Sequence, residues 1–334
     1  MRVGFTMDFR NVTGQPWRAF WEDCLWLMVQ AEAMGFDYVM GQEHFFTADG
    51  YGPSLPIFQA LLIERTKKVR VGSYTYVLPL HHAAQLAQET AVLDHLSGGR
   101  LDVCVGAGHR PLEYQALGYA PKTRPSRMEE GLEVLKLAWT RQPFSYQGRY
   151  YNLRDITVAP EPLQKPHPPL WVAATAPAAA ERAGRHGANL HGSAVDPEFH
   201  AAYFRGLDAA GIDRSKVRIS NPWSITVTDE NPEKVWERHK KLYVQRWDFY
   251  RTIRLEMGDK DITYGLPPGA DAYRANELIG TADVVLHTLR DVVGRLPLTD
   301  IIHSGPAAGI PIREEAYRSL KAFAERVLPE LKKW

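Results

Sequence analysis

Short apolar runs rich in β-branched residues alternate along this chain with longer segments in which apolar residues recur with helical spacing. The short runs predict strands and the longer segments predict helices. A repeated strand–helix order indicates a parallel sheet with right-handed crossovers. The predicted strands cover residues 2–7, 37–42, 69–77, 101–106, 170–174, 188–192, 217–227 and 299–303. The predicted helices cover residues 18–34, 54–65, 83–96, 126–140, 177–186, 196–210, 232–256, 281–294 and 313–333.

Eight strand–helix units fit an α/β fold of the (β/α)8 TIM-barrel type, with an open doubly wound sheet as the alternative. We therefore predict one barrel domain over residues 1–334, interrupted by insertions near 143–168 and 236–280. The first insertion contains a turn at Tyr146–Tyr150 that predicts a β-hairpin. The second is rich in Trp, Tyr and charge, and we expect it to shape the mouth of the barrel but to contain no second core.

Charge and composition exclude several classes of protein. Lys and Arg number 40 and Asp and Glu 39, so nothing electrostatic points to nucleic acid or an anionic membrane. The first residues, MRVGFTMDFRN, lack the apolar core of a signal peptide, and no run approaches the ~18 apolar residues of a membrane span. Two cysteines, Cys24 and Cys104, cannot build a disulfide framework, which favours the cytoplasm.

The ends of the predicted strands concentrate histidines, and in a barrel these ends carry the reactive groups. Carboxylates at the same ends are few, with Glu43 the main one, and the chain has no HxH or HExxH motif. We therefore predict no metal site. The histidines at the strand ends are His44, His81, His82, His109, His191 and His303.

Two strand ends suggest phosphate binding. Gly106-Ala107-Gly108 precedes a helical start and can present backbone N–H groups to a phosphate, although a simple tight turn explains it equally well. Thr175-Ala176-Pro177 also opens a helix, where Thr175 is either an N-cap residue or part of an anion site.

Several longer motifs, in order along nearly the whole chain, resemble the bacterial luciferase-like monooxygenase family. Two of them are specific: the run from Glu89 to Leu101 (ETAVLDHLSGGRL) and the run from Gly106 to Tyr114 (GAGHRPLEY). Glu43-His44, Val77-Leu78-Pro79 with His82, the run from Pro169 to Ala174 (PLWVAA) and Gly280-Thr281 agree with the same family.

The resemblance implies a barrel that binds reduced FMN at its C-terminal mouth and uses molecular oxygen to oxidise a small organic substrate. A separate flavin reductase supplies the reduced cofactor in such systems. The alternatives are a deazaflavin-dependent hydride-transfer enzyme on the same barrel and a non-catalytic flavin-binding relative. The resemblance also implies a cis peptide at Tyr74–Thr75 and a homodimer, for which the apolar first helix, residues 18–34, is the expected interface.

The resemblance and the strand-end rule together give a set of expected site residues. We expect His44 to transfer protons, because its ordinary pKa suits this work, and Glu43 to orient it or to cap a neighbouring strand. Side chains common in relatives are missing at Ala107, Ala176 and Ala179. The remaining cofactor contacts are expected from Tyr74, Thr75, Tyr76, Gly106, Gly108, Arg110, Tyr114, Thr175, His191 and Gly192, and substrate contacts from Phe5, Phe45, His82, Trp223 and His303, where His82 is alternatively the start of a helix.

Overall fold

Eight parallel strands close into a barrel, which confirms the predicted (β/α)8 fold. The computed structural model describes residues 1–192, 196–258 and 268–334. β1 pairs with both β2 and β12, and β10 pairs with both β9 and β12, so that the sheet closes on itself. In order around the barrel the strands are β1 (Arg2–Thr6), β2 (Tyr38–Gly41), β3 (Arg70–Ser73), β5 (Leu101–Gly106), β8 (Leu170–Ala174), β9 (Asn189–Gly192), β10 (Ile219–Val227) and β12 (Asp300–Ser304).

Helices surround the barrel and match the predicted segments closely. Many of them start with proline in the first turn, where its missing N–H is not needed. No helix in the described ranges is long and apolar enough to span a membrane. The helices are α1 (Trp17–Ala33), α2 (Leu55–Arg65), α3 (Ala83–Leu96), α4 (Pro111–Ala116), α5 (Arg124–Thr140), α6 (Pro177–Arg185), α7 (Pro197–Ala209), α8 (Pro232–Glu256), α9 (Ala270–Arg274), α10 (Ala282–Arg295), α11 (Tyr317–Arg326) and α12 (Leu328–Leu331).

Two predicted elements are divided in the structure. The strand predicted over 69–77 breaks into β3 and a short β4 (Tyr76–Val77). The Tyr74–Thr75 peptide between them is cis, as expected. The predicted last helix, 313–333, becomes a π-helical turn at Ile312–Ala316 followed by α11 and α12.

Both predicted insertions contain regular structure. The first forms an antiparallel hairpin of β6 (Phe144–Gln147) and β7 (Asn152–Ile156), as predicted. The second contains most of α8, all of α9 and β11 (Glu277–Gly280), which pairs with the end of β10. The expectation of no second core was wrong, because α8, α9 and β11 enclose a small apolar cluster with residues 307–310. Its buried members are Val235, Trp236, Tyr243, Tyr273, Ile279, Ala307 and Ile310.

Strand alternation separates the barrel interior from the layer beneath the helices. Tyr38, Met40 and Ile302 form a small cluster inside the barrel. A cavity of about 20 Å³ next to them has room for about one water molecule. The alternate positions, such as Val3, Phe5 and Val39, belong to the main core between the sheet and the helices. Whether a strand residue occupies an odd or an even position in the alternation, which we call its parity, therefore decides whether its side chain points into the barrel or toward the helices.

Candidate active site

His44 lies in the loop after β2, at the C-terminal mouth of the barrel, and is enclosed by aromatic rings. Its imidazole stacks on Tyr51 at 4.5 Å between ring centroids, with His109 at 5.7 Å and Phe249 of α8 at 6.0 Å edge-on. Nδ1 lies 3.2 Å from Oε1 of Glu113. The carboxylate fixes one ring nitrogen, which leaves Nε2 for proton exchange in the mouth.

Glu113 comes from α4, a helix whose start the sequence analysis placed after the Gly106–Gly108 loop but whose bounds it did not predict. Its Oε1 also accepts a hydrogen bond of 3.0 Å from the backbone N–H of Phe45, so one carboxylate orients both the ring and the loop that carries it. The signal for this helix was Pro111, which favours a first helical position, preceded by an extended Arg110.

Glu43 does not contact His44 and instead fulfils the alternative expectation, that of capping a neighbouring strand. Its Oε2 accepts the backbone N–H of Val77 at 2.8 Å and lies 2.8 Å from Nε2 of His81. Burial opposes a charge on His81, but the hydrogen bond and charge of Glu43 outweigh it and raise the pKa of His81. The pair therefore ties the loop after β2 to β4.

Side chains of Val77, Thr75 and Tyr114 pack against the glycine loop after β5. Gly108 has φ +64°, and a Cβ there would lie 2.5 Å from Val77. A Cβ on Gly106 would lie 2.9 Å from Oγ1 of Thr75. Tyr114, expected to touch the cofactor, is fully buried and donates its hydroxyl to the carbonyl of Ala107 at 2.5 Å. Tyr114 therefore supports the loop.

Positive charge collects around His109, directly after this loop. Burial lowers the pKa of His109 to about 3, and the charges of His44, Arg124, Arg254 and Arg110 act in the same direction. Arg110 donates to the carbonyl of Phe45 at 2.8 Å. Arg124 begins α5, and its Nη1 is buried without a hydrogen-bond partner in the described part of the chain. A buried donor of this kind fits an anion, and the sequence analysis missed it.

Among the remaining expected cofactor residues, Tyr74 and His191 contact each other, whereas Tyr76 points away from the mouth. Tyr74 packs edge-on to His191 at 4.7 Å, and Nδ1 of His191 lies 2.7 Å from Oγ of Ser220. Burial lowers the pKa of His191 to about 4. Tyr76 points away, because its buried hydroxyl donates to Gln59 on α2. β9 ends at Gly192, where an added Cβ would lie 2.6 Å from the Phe199 ring. Thr175 and Ala176, which directly precede α6, are exposed to solvent, and Ala179 in the first turn of α6 is half-buried.

Three residues expected to bind substrate lie outside the mouth. Phe5 and His303 pack together at 5.5 Å in the layer between sheet and helices, and the His303 ring lies 4.6 Å from Phe323 of α11. Trp223 pairs in register with His303 and packs against the same core. The expectation was wrong because these residues occupy strand positions whose parity points outward.

Phe45 and His82 have different surroundings from one another. Phe45 is half-buried at the mouth, where it packs beside Val77 and Tyr114. His82 is exposed at the N-cap of α3, as the alternative reading proposed, and contacts Tyr151 of the hairpin at 5.3 Å.

Helix α8 contributes one wall of the mouth, and the sequence analysis expected the 236–280 insertion to shape the mouth but named none of the residues of this wall. Phe249 and Tyr250 reach the loop after β2, where Tyr250 and Tyr51 share a hydrogen bond between their hydroxyls. Beneath them Arg10 lies 5.6 Å from the Tyr51 ring centroid and 5.3 Å from that of Phe249. The sequence showed only that this segment was aromatic. Over residues 1–192, 196–258 and 268–334, no group of three or more His, Cys, Asp or Glu side chains is arranged to hold a metal ion.

Comparison with known proteins agrees with this geometry. The family model for luciferase-like monooxygenases matches residues 1–296. The chain belongs to the luciferase-like monooxygenase family. It is 25% identical over 307 residues to the oxygenase component of the flavin-dependent trigonelline monooxygenase of Acinetobacter baylyi, covering 87% of this chain and 85% of that protein.

Two further relatives show the range of the family. The crystal structure of the monooxygenase RslO1 from Streptomyces bottropensis superposes with a TM-score of 0.86 at 25% identity, over 99% of this chain and 100% of that one. An F420-dependent glucose-6-phosphate dehydrogenase of Kineococcus radiotolerans is 31% identical over 227 residues, covering 63% of this chain and 65% of that protein. Luciferase-like proteins with flavin and with deazaflavin cofactors are therefore both similar to this chain.

Proposed function

We propose that this protein is the oxygenase component of a two-component flavin-dependent monooxygenase, acting on a small organic substrate with reduced FMN and oxygen. The observation that carries the proposal is the His44–Glu113 pair, which places an oriented imidazole inside an aromatic enclosure at the barrel mouth. Glu113 lies in the first turn of α4, shortly after the Gly106–Gly108 loop, so the carboxylate that orients His44 and the glycine loop belong to one short segment.

The residues at the mouth fit a flavin phosphate even though Ala107, Ala176 and Ala179 provide no polar side chains. At the start of α6, Pro177 has no N–H and Ala179 donates its N–H to the carbonyl of Ala176, so the N–H groups of Ala176 and Ala178 are the ones left for an anion in the described chain, and the first turn carries no acidic residue. Arg124 offers a buried guanidinium nitrogen without a protein partner in the described ranges. We propose that Arg124, Thr175 and the α6 amides bind the phosphate, with Tyr74, Thr75 and Gly106 beside the ring system.

When bound, reduced FMN supplies two electrons to O₂, one oxygen atom entering the substrate and the other leaving as water. The contribution of this chain is proton transfer and the exclusion of water. Nε2 of His44 exchanges the proton, because Glu113 holds Nδ1. Tyr51, Phe249 and Phe45 cover the site with apolar surface, which limits the loss of reducing equivalents to peroxide.

The proposal is tested by measuring whether the protein incorporates an oxygen atom from O₂ into a substrate. Wild-type protein supplied with reduced FMN by an added reductase should incorporate label from ¹⁸O₂ into a substrate found by screening small organic compounds. Reduced deazaflavin should not support incorporation, because it reacts poorly with oxygen. Hydride transfer from deazaflavin without oxygen uptake would replace the proposal by its alternative, and failure to bind either cofactor would favour a non-catalytic relative.

We further propose that the chain acts as one barrel domain in a cytoplasmic homodimer. Both cysteines are free and buried, which is typical of a reducing compartment. On α1, the interface expected from the sequence, Phe20, Cys24 and Met28 are buried by the chain itself, while Trp17 is 49% exposed. Among the exposed apolar residues, two pairs four residues apart lie on adjacent helices and form the interface that we propose: Ile57 and Leu61 on α2, and Val92 and Leu96 on α3.

Light scattering should give a mass twice that of the 37.8 kDa chain. Combining Ile57→Glu with Leu96→Glu should give a folded monomer, because charges would be placed in the proposed interface. Val284→Glu on α10, where Val284 is 48% exposed, is the matched control and should remain dimeric. A wild-type mass of one chain would refute the dimer.

A further inference from the structure

Four buried charged side chains form a row beneath the aromatic wall of the mouth. Arg10 donates to Asp8 through Nε at 2.9 Å and Nη2 at 2.7 Å. Arg246 of α8 donates to Oδ2 of Asp8 at 3.3 Å, the oxygen that also accepts from Nη2 of Arg10, and to Glu277 of β11 at 3.2 Å. We name Arg10, Asp8, Arg246 and Glu277 the ion-pair ladder. It connects the segment after β1, α8 and β11.

The charged groups of the ion-pair ladder are paired with one another. Burial disfavours the ionised carboxylate of Asp8, but the charge and hydrogen bonds of Arg10, with Arg246 beyond it, lower its pKa to about 2. The Arg10 side chain is 2% exposed and that of Asp8 is 6% exposed. Buried ion pairs contribute little net stability compared with apolar residues of similar volume, so their value lies more in holding a specific geometry.

The end of the ladder at Arg10 contacts the two rings that enclose His44. Its guanidinium carbon lies 5.6 Å from the Tyr51 ring and 5.3 Å from the Phe249 ring. Tyr51 belongs to the loop after β2 and Phe249 belongs to α8, so a single cation contacts both walls. Tyr51 in turn stacks on His44 at 4.5 Å, and Phe249 meets it edge-on.

We propose that Arg10, fixed by Asp8, is a positioning residue for His44, acting through the rings of Tyr51 and Phe249. Arg10 has no contact with His44 of its own among those described. Its role is to keep both rings against the imidazole, so that Nδ1 stays with Glu113 and Nε2 keeps its direction. This inference rests on the proposed function for its biological meaning, but the positioning itself exists in the protein without cofactor.

The experiment measures how fast diethylpyrocarbonate modifies His44 in the full-length protein, by peptide mass spectrometry at one fixed pH. The exposed His287 on α10 serves as the internal reference. Arg10→Met removes the cation, and Arg10→Lys keeps the charge but loses the two-point contact with Asp8. The matched control is Arg218→Met, which breaks another Arg–Asp pair, with Asp300, that also lies beside an aromatic ring, Trp171, at the opposite end of the barrel.

We expect Arg10→Met to accelerate His44 modification about two- to tenfold relative to His287, the range that loss of an aromatic contact gives. The rate of His44 modification in Arg10→Lys should lie between the rates in Arg10→Met and wild type, and the rate in Arg218→Met should equal that in wild type. An unchanged rate in Arg10→Met overturns the proposal, and so does an equal acceleration in Arg218→Met, because that would indicate general loosening. If Arg10→Met does not fold, the same comparison between Arg10→Lys and Arg218→Lys decides.

A second measurement separates this inference from the proposed function. With reduced FMN and oxygen, the pH profile of peroxide release by Arg10→Met should approach that of His44→Gln, whereas Arg218→Met should keep the wild-type profile. A wild-type protein that binds no reduced FMN would refute the proposed function, yet the modification rates of His44 would still support or overturn the role of Arg10.

Discussion

The loop after β2 and the end of β12 each carry a histidine at the C-terminal side of the barrel, but only one of them reaches the mouth. His44 lies beyond its strand, where Glu113 and Tyr51 orient the ring. His303 lies within β12, at a position whose parity points outward to Phe5 and Phe323. The side chain of a residue after a strand can therefore turn toward the site, whereas strand alternation fixes which face of the sheet a side chain within the strand points to.

The electrostatic surroundings of the two histidines differ as much as their positions. His44 has a carboxylate partner on Nδ1. Both ring nitrogens of His303 are buried without a hydrogen-bond partner in the described chain, and burial lowers the pKa of His303 to about 3. An imidazole that stays neutral in an apolar layer cannot exchange protons with a substrate, so the comparison predicts opposite effects of mutation.

The largest expected effect is on productive oxygenation, taken as oxygen consumed minus peroxide released with a substrate present. His44→Ala should lower it about 10²–10⁴-fold, because general acid–base catalysis is lost, while flavin binding is nearly unchanged. His303→Leu should leave it at the wild-type level. Equal losses in both variants would break the distinction between the two histidines.

The second prediction concerns stability and pH. His303 has a pKa of about 3 when folded and an ordinary value of 6.5, so below pH 6.5 the unfolded state binds a proton that the native state does not. The free energy of unfolding should therefore fall with decreasing pH, by up to about 1.4 kcal/mol per pH unit from this residue. Urea unfolding at pH 7 and pH 5 should show a smaller loss in His303→Leu than in wild type; an identical loss would contradict the assignment.

Two glutamates sharpen the comparison within the mouth. Glu113→Gln should reduce productive oxygenation about tenfold, since a neutral amide orients His44 less well than a carboxylate does. Glu43→Gln should affect oxygenation less but lower the free energy of unfolding by about 1–2 kcal/mol, because it weakens the bonds to Val77 and His81. The reverse order of effects on oxygenation would restore Glu43 as the partner of His44.

The smallest expected effect concerns the backbone next to His44. Phe46 has φ +57°, which is strained for a bulky residue, and its side chain is 55% exposed. Phe46→Gly should raise the free energy of unfolding by a few tenths to about 1 kcal/mol, the strain relieved minus the entropy of glycine. Ser304→Gly, in the regular strand β12, should lower it by about 0.5–1 kcal/mol. Thermal unfolding of both variants provides the check, and a lower midpoint for Phe46→Gly would mean that no strain is stored there.

The barrel could be predicted from sequence because alternation of strand and helix is a local pattern: seven barrel strands lie within the predicted segments, and β12 extends one residue beyond its segment. The rule that reactive groups lie at the strand ends led to His44 and to the loop at Gly106–Gly108, and the family resemblance agreed with both. The prediction failed on the side of the strand that each residue faces. Phe5 and His303 lie next to strand ends and Trp223 lies in the middle of β10, and all three face outward by register. The number of residues between a position and the end of its strand does not show which face of the sheet its side chain points to.

Partners distant in sequence were also beyond prediction. Glu113 reaches His44 across 69 positions, and Arg246 reaches Asp8 across 238. Such contacts depend on how α4 and α8 pack over the mouth, which no local pattern records. The sequence did show an aromatic and charged segment at 236–280, but not that α8 places Phe249 against His44.

The most direct test of the account is an anaerobic titration of reduced FMN against wild type, Arg124→Met and His44→Ala, followed by protein fluorescence. We predict binding to wild type and His44→Ala with similar affinity, and binding to Arg124→Met weakened about 10- to 100-fold, the value of one charge-assisted hydrogen bond. A reduced flavin that binds wild type and Arg124→Met equally well, or that binds none of the three, would contradict a flavin site at this mouth.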